Sequence, residues 1–173
     1  MKIKWLLPLV IALLTVVFGA SAVMAAKGDN PANDKSAGNG NSNVASLYLY
    51  EKDASWNIVW GGGEGKLTFN LAGSTFNFGF NGHGLQANTA YSLIVYDEPW
   101  PGNNPGALLA SGTSNGGGNI HLAGSVDLGR DLSGAKIWLV TSSDYDGAKM
   151  TGWNPGNYLF EHNLISYDDT DVP

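Results

Sequence analysis

"KLTFNLAGSTFNFGF", residues 66–80, decides the fold. Leu67, Phe69 and Leu71 alternate with Lys66, Thr68 and Asn70; after a small-residue break, Phe76, Phe78 and Phe80 alternate with Asn77 and Gly79. Side chains on a strand point to opposite faces in turn, so a period of two marks a strand with one apolar and one polar face. The stretch predicts strands over 66–71 and 75–80 with a turn between them.

The same signal spreads outward from there. "SLYLYE" (46–51), "WNIVW" (56–60), "TAYSLIVYD" (89–97), "ALLASG" (107–112), "NIHLAGSV" (119–126), "AKIWLVTS" (135–142) and "YLFEHNLISY" (158–167) add seven more runs. Clusters of Gly, Asn, Pro and Ser divide them. No segment carries a helical period of useful length. Nine short strands with glycine-rich turns predict an all-β fold, an antiparallel β-sandwich or partly open barrel, over residues 44–173. The 24 glycines of the 173 residues lack a collagen period, which assigns them to turns and bulges.

The first 25 residues read as a secretory signal peptide. "MKIK" is a basic start, the 16-residue "WLLPLVIALLTVVFGA" an apolar core, and "SAVMAA" a small-residue cleavage site. The core is short for a membrane span. An uncleaved anchor is the rival reading and the sole membrane attachment the sequence suggests. "AKGDNPANDKSAGNGNSN" (26–43) has no large apolar residue and reads as a disordered linker. Without Lys2 and Lys4 the chain keeps 7 basic against 15 acidic residues, which disfavours a nucleic-acid partner. With no cysteine it has no disulfides and no thiolate metal sites.

The motifs that carry chemistry mostly fail their context. "GTSNG" (112–116) has the letters of a nucleophile elbow around Ser114, but a strand follows where a helix is needed. "SSDYDG" (142–147) begins like a calcium loop and lacks the glutamate of an EF-hand; Asp144 and Asp146 stand as a candidate irregular Ca²⁺ site, with a plain Asp-Gly turn as the alternative. "WPGNNPG" (100–106) and "GWNPGNY" (152–158) set Trp100, Trp153 and Asn154 among turn residues. A tryptophan face stacks on a sugar ring and amides bond its hydroxyls; the alternative is that each ring caps an end of the sandwich. His83, in "NFGFNGHGL" (77–85), sits between two glycines expected to supply positive φ or a bulge. His121 and His162 read as strand histidines, the first facing solvent and the second half-buried beside Phe160. Antiparallel strands send successive loops to alternate ends. Nine strands therefore place His83 with Asp144, Asp146 and Trp153 at one end, and Trp100 with residues 52–55 and 127–134 at the other.

"LYLYEKD", "FNGHGL", "YDEPWPGNNPGALLASG", "GSVDLG", "GAKIWLV" and "GWNPGNYLFEHNLI" together resemble a family of uncharacterised secreted proteins found chiefly in methanogenic archaea. The resemblance spans nearly all of 46–167. It implies an exported, cell-surface or extracellular β protein; it carries no known reaction and transfers no residue roles. Two expectations follow. The first is a non-catalytic envelope or adhesive module whose partners are surface glycans, other surface proteins or Ca²⁺. The second is a secreted hydrolase of cell-surface polymers. Glycosidase chemistry needs two carboxyl groups across a cleft, and Asp97, Glu98, Asp144 and Asp146 are the acids available. All four lie in apparent turns, which favours the first expectation.

Overall fold

The structure is a computed structural model and describes residues 42–96 and 106–173. The signal segment, most of the linker, and Asp97, Glu98 and Trp100 lie outside the described residues. Among the described residues ten strands form: β1 (Val44–Tyr50), β2 (Glu64–Asn70), β3 (Ala72–Gly73), β4 (Phe76–His83), β5 (Ala90–Tyr96), β6 (Ala107–Thr113), β7 (Ile120–Val126), β8 (Leu132–Thr141), β9 (Leu159–Glu161) and β10 (Ile165–Asp169). The ladder runs β6, β5, β8, β9, β1, β2, β4, β7, and β10 continues β9 along the first half of β8. The sheet does not close, since β6 and β7 lie against each other without a ladder. One pair is parallel, β3 with β10; the rest are antiparallel. The all-β, sandwich-like expectation is met.

The sheet folds over its own apolar face. Leu47, Leu67, Phe69, Phe78 and Phe80 from β1, β2 and β4 share one core with Leu93, Ile137, Leu139 and Leu159 from β5, β8 and β9. The alternation in 66–80 is the sequence signature of this arrangement, one face in the core and one in water. Strands β5, β8 and β9 differ because they are buried on both faces. Their other side carries Ile94, Tyr96, Trp138, Val140 and Phe160, covered by Tyr145, Met150 and Tyr158 of the long 142–158 connection.

Two strand expectations need correction. "WNIVW" is not a strand; only Ile58 makes a lone bridge, to Lys52. Asp53 prevents the strand: its Oδ1 accepts the backbone N–H groups of Ser55 (2.8 Å) and Asn57 (2.9 Å), groups a ladder would use. The 158–167 run breaks into β9 and β10 at 162–164. Residues 52–55 therefore belong to one connection, 51–63, at the same end as 84–89, 114–119 and both roots of 142–158. Gln86 Nε2 confirms that neighbourhood by donating to Asn157 Oδ1 at 2.8 Å. The tip of 142–158 does not stay there. Tyr145 donates its hydroxyl to the Gly106 carbonyl (3.0 Å), and the Gly106 N–H reaches the Ala148 carbonyl (2.7 Å). The connection thus crosses the whole outer face of β5. Asn43, read as linker, is tied to Ala72 by two hydrogen bonds.

Candidate functional site

An aromatic cleft on the outer face

Above the second core, the 51–63 and 142–158 connections meet over β9. Trp56 packs edge-on against Phe160 with ring centroids 5.0 Å apart and lies 6.4 Å from Trp153. Trp153 in turn lies 5.9 Å from Trp138 and 5.7 Å from Tyr158, and Trp138 stacks on Tyr96 at 4.8 Å. The inner rings are buried, whereas Trp56 is 56% and Trp153 42% exposed. Two adjoining clefts of about 250 and 220 Å³ open beside them. Lys52, Lys136, Trp138 and Glu161 line the first with Trp56; Asp53, Trp153, Pro155 and Phe160 line the second with Trp56 and Lys52.

Trp56 is held there at a conformational cost. Its φ is +64°, in the left-handed region that bulky side chains avoid, at roughly 1 kcal/mol or more. The Asp53 turn imposes it: the Trp56 N–H bonds the Asp53 carbonyl (2.9 Å), and the Asp53 N–H bonds the Asn57 carbonyl (2.9 Å). Hydrogen bonds from the Asn57 backbone and side chain, then from Ser55, hold the Asp53 carboxyl below the usual range despite slight desolvation. Lys52 places its ammonium 5.8 Å from the Trp56 ring and donates to the Glu161 carbonyl at 2.9 Å. Burial pushes the Glu161 carboxyl up, against the pull of its own backbone, Lys52, Trp138 and Lys136. The cleft offers two half-exposed indole faces rimmed by an ammonium and a carboxyl group. That set can cover an apolar ring face and bond the hydroxyls at its edge.

Where the sequence-derived residues lie

Trp153 falls in this cleft. Asn154 lies next to it, but its amide serves the fold: Nδ2 donates to Asp144 Oδ2 at 2.8 Å. Asp144 is buried and is the hub of the 142–158 connection. Its Oδ2 also accepts the hydroxyls of Thr141 (2.6 Å) and Tyr158 (2.5 Å). Burial pushes the Asp144 carboxyl up, but the hydrogen bonds from Thr141, Tyr158 and Asn154 outweigh it and leave it below the usual range. Gly152 rests on that carboxylate, and a Cβ there would come within 2.3 Å of Asp144 Oδ1. Asp146 is exposed and accepts the N–H groups of Ala148 (2.9 Å) and Lys149 (2.8 Å), an ordinary aspartate turn. The structure gathers no third acidic or histidine ligand around this pair among the described residues.

His83 is the last residue of β4 and faces Glu64 across the β2–β4 ladder, with Nε2 3.4 Å from Glu64 Oε1. Gly84 does take a positive φ, +71°. Gly82 does not; it is needed because a Cβ would meet the Phe80 ring at 2.9 Å. His121 is exposed and bonds Asn81 at 2.8 Å; His162 is half-buried but packs on Tyr50, on the face opposite the core. Ser114 is buried, donates to the Gln86 carbonyl and accepts the Thr89 N–H at 3.0 Å, with β7 following rather than a helix. It is a clamp between two turns.

Trp56 is the residue the sequence reading missed, because "WNIVW" looked like a strand. The usable signal was "DASWN": an aspartate followed by Ser and Asn at i+2 and i+4 is a turn pattern that would have turned Trp56 outward. No family model, curated protein or solved structure matches this chain.

Proposed function

We propose that the protein is a non-catalytic, extracellular or envelope-associated module that binds glycan in the cleft between Trp56 and Trp153. The observation that carries the reading is Trp56 itself. A large apolar side chain stands more than half exposed, at a strained φ, on a turn stitched together by Asp53. Strain of this kind persists where the surroundings enforce it, and it clusters at binding sites. The neighbouring Trp153 supplies a second face, and Lys52 and Glu161 supply polar edges. Export supports the same reading and rests on the signal-like first 25 residues.

A glycan array of the purified protein, followed by titration of any hit against tryptophan fluorescence, tests it. Replacement of Trp56 or Trp153 by alanine should weaken binding about tenfold, roughly 1.4 kcal/mol. An array with no hits, or a hit insensitive to both substitutions, overturns the reading. N-terminal sequencing of exported protein should find Ala26 or Lys27 first; an intact Met1 in the envelope would indicate an anchor.

The hydrolase reading keeps one observation, the raised Glu161 carboxyl beside the cleft. A partner carboxylate is the difficulty. Asp53 directs its oxygens into its own turn, and Asp144 bonds three side chains. Turnover of an array hit that disappears in Glu161→Gln would favour it.

A further inference from the structure

At the end of the sheet opposite the His83 and Ser114 turns, β10 finishes beside the 127–131 connection. Asp127, Asp169 and Asp171 each bring a carboxylate oxygen there, all within 4.8 Å of one another. Acidic groups often gather on surfaces, and Asp127 and Asp171 are exposed. Asp169 is different. It is 2% exposed, and its Oδ1 is buried with no hydrogen-bond partner. Its other oxygen accepts the Arg130 backbone N–H at 3.1 Å, and its own N–H bonds Asp131 Oδ1 at 2.8 Å, so the side chain is fixed in place. Asp127 is fixed too, accepting the Gly129 N–H at 2.9 Å in a turn where Gly129 has φ +63°. A buried acceptor without a donor is expensive, and more so beside two further anions. A proton or a cation between the carboxylates relieves both penalties.

We propose that Asp127, Asp169 and Asp171 bind one Ca²⁺, with the buried Asp169 Oδ1 as its inner ligand. All-oxygen donors suit a hard cation, and flexible carboxylates on a turn and a strand end suit Ca²⁺ better than the strict octahedron of Mg²⁺. The bound ion ties the end of β10 to the 127–131 turn.

Thermal unfolding of the full chain in EDTA and in CaCl₂ up to about 10 mM, with calorimetric titration of the same samples, tests the site. At a hundredfold excess over Kd, Ca²⁺ should raise Tm by roughly 5–10 °C. Asp171→Asn and Asp127→Asn should each abolish that rise, and in EDTA Asp171→Asn should melt no lower than the unsubstituted chain, because a repulsion has gone. Asp146→Asn should keep the full rise. Equal Tm in Ca²⁺ and EDTA overturns the proposal, as does a Ca²⁺ response that survives in Asp171→Asn and Asp127→Asn.

Discussion

Tyr158 donates its hydroxyl to Asp144 Oδ2 at 2.5 Å, and its hydroxyl oxygen accepts the backbone N–H of Asn154 at 2.9 Å. This pair anchors the connection that carries Trp153, and it sets how the fold responds to pH. The folded-state pKa of Asp144 lies below its ordinary value of 3.8, as do those of Asp53 and Asp146. The folded state therefore binds fewer protons near pH 3–4 than the unfolded chain. The stability these groups contribute is present above about pH 4 and is lost as pH falls through their folded pKa values. Tyr158 is raised above the ordinary 10, chiefly by burial and then by Asp144, and Tyr91, Tyr96, Tyr145 and Tyr167 are raised by burial. Their contribution is present below about pH 10 and is lost above it. A plot of Tm against pH should fall below about pH 4 and above about pH 10, and between those limits it should decline as pH rises from the ordinary glutamate value through the raised pKa of Glu161. Asp144→Asn should lower stability by about 2–3 kcal/mol at pH 7, as a hydrogen-bonded buried charge is lost, and should shallow the acid limb. An acid limb parallel to that of the unsubstituted chain would show that Asp144 titrates normally.

Trp56→Gly should cost no more than about 1 kcal/mol of stability. Glycine removes the φ +64° strain while losing the Phe160 contact, and the two effects oppose each other. Trp56→Ala keeps the strain and loses the contact, so it should be the less stable variant of the two. Denaturant melts of both check the order; the reverse order would mean that the positive φ at position 56 costs little.

Ser114→Ala should destabilise by about 1–3 kcal/mol, because the buried Thr89 N–H loses an acceptor and the Gln86 carbonyl a donor. Urea unfolding measures it. A change below 0.5 kcal/mol, on the scale of about 1 kcal/mol for one hydrogen bond, would mean that water replaces the hydroxyl.

His83→Ala should change stability by less than about 0.5 kcal/mol. Its pairing with Glu64 is exposed on both sides, at 58% and 48%, and such pairs contribute little. A loss above 1 kcal/mol, against that ceiling, would point to a role for His83 beyond the ladder end.

Where burial is one-sided, as in β2 and β4, hydrophobic alternation alone located the strands, and Leu67 and Phe80 were legible as core. Where it is two-sided, alternation carries less. "YSLIVY" and "KIWLVT" read as strands, but nothing in their letters says that Ile94, Trp138 and Val140 face a second core, because that core forms only when β5, β8 and β9 pair and the 142–158 connection folds over them. "WNIVW" has strand composition for the same reason: its aromatics lie on a sheet without joining it. Asp144 and Asp146 were read from spacing as equals. Burial separates them, and burial depends on Tyr158 and Asn154 arriving from the far side of a turn. The carboxylate group at Asp127, Asp169 and Asp171 is invisible to any local pattern, since only the meeting of β10 with the 127–131 turn brings it together.

The β1–β9 ladder also dictates the order in which the molecule can fold. Tyr50 pairs with Phe160, and Leu49 with Glu161, across about 110 intervening positions. Closing so long a loop is entropically unfavourable until other contacts hold the ends near each other. The β2–β4 and β5–β6 hairpins, and β1 with β2, pair strands close in sequence and can form early. The two halves are joined by β9, seated between β8 and β1, and by the short β3–β10 pair, so the three-residue β9 acts as a closing wedge. Substitutions in β9 should therefore speed unfolding more than they slow refolding, which leaves the lifetime of the assembled state in the hands of Leu159 and Phe160.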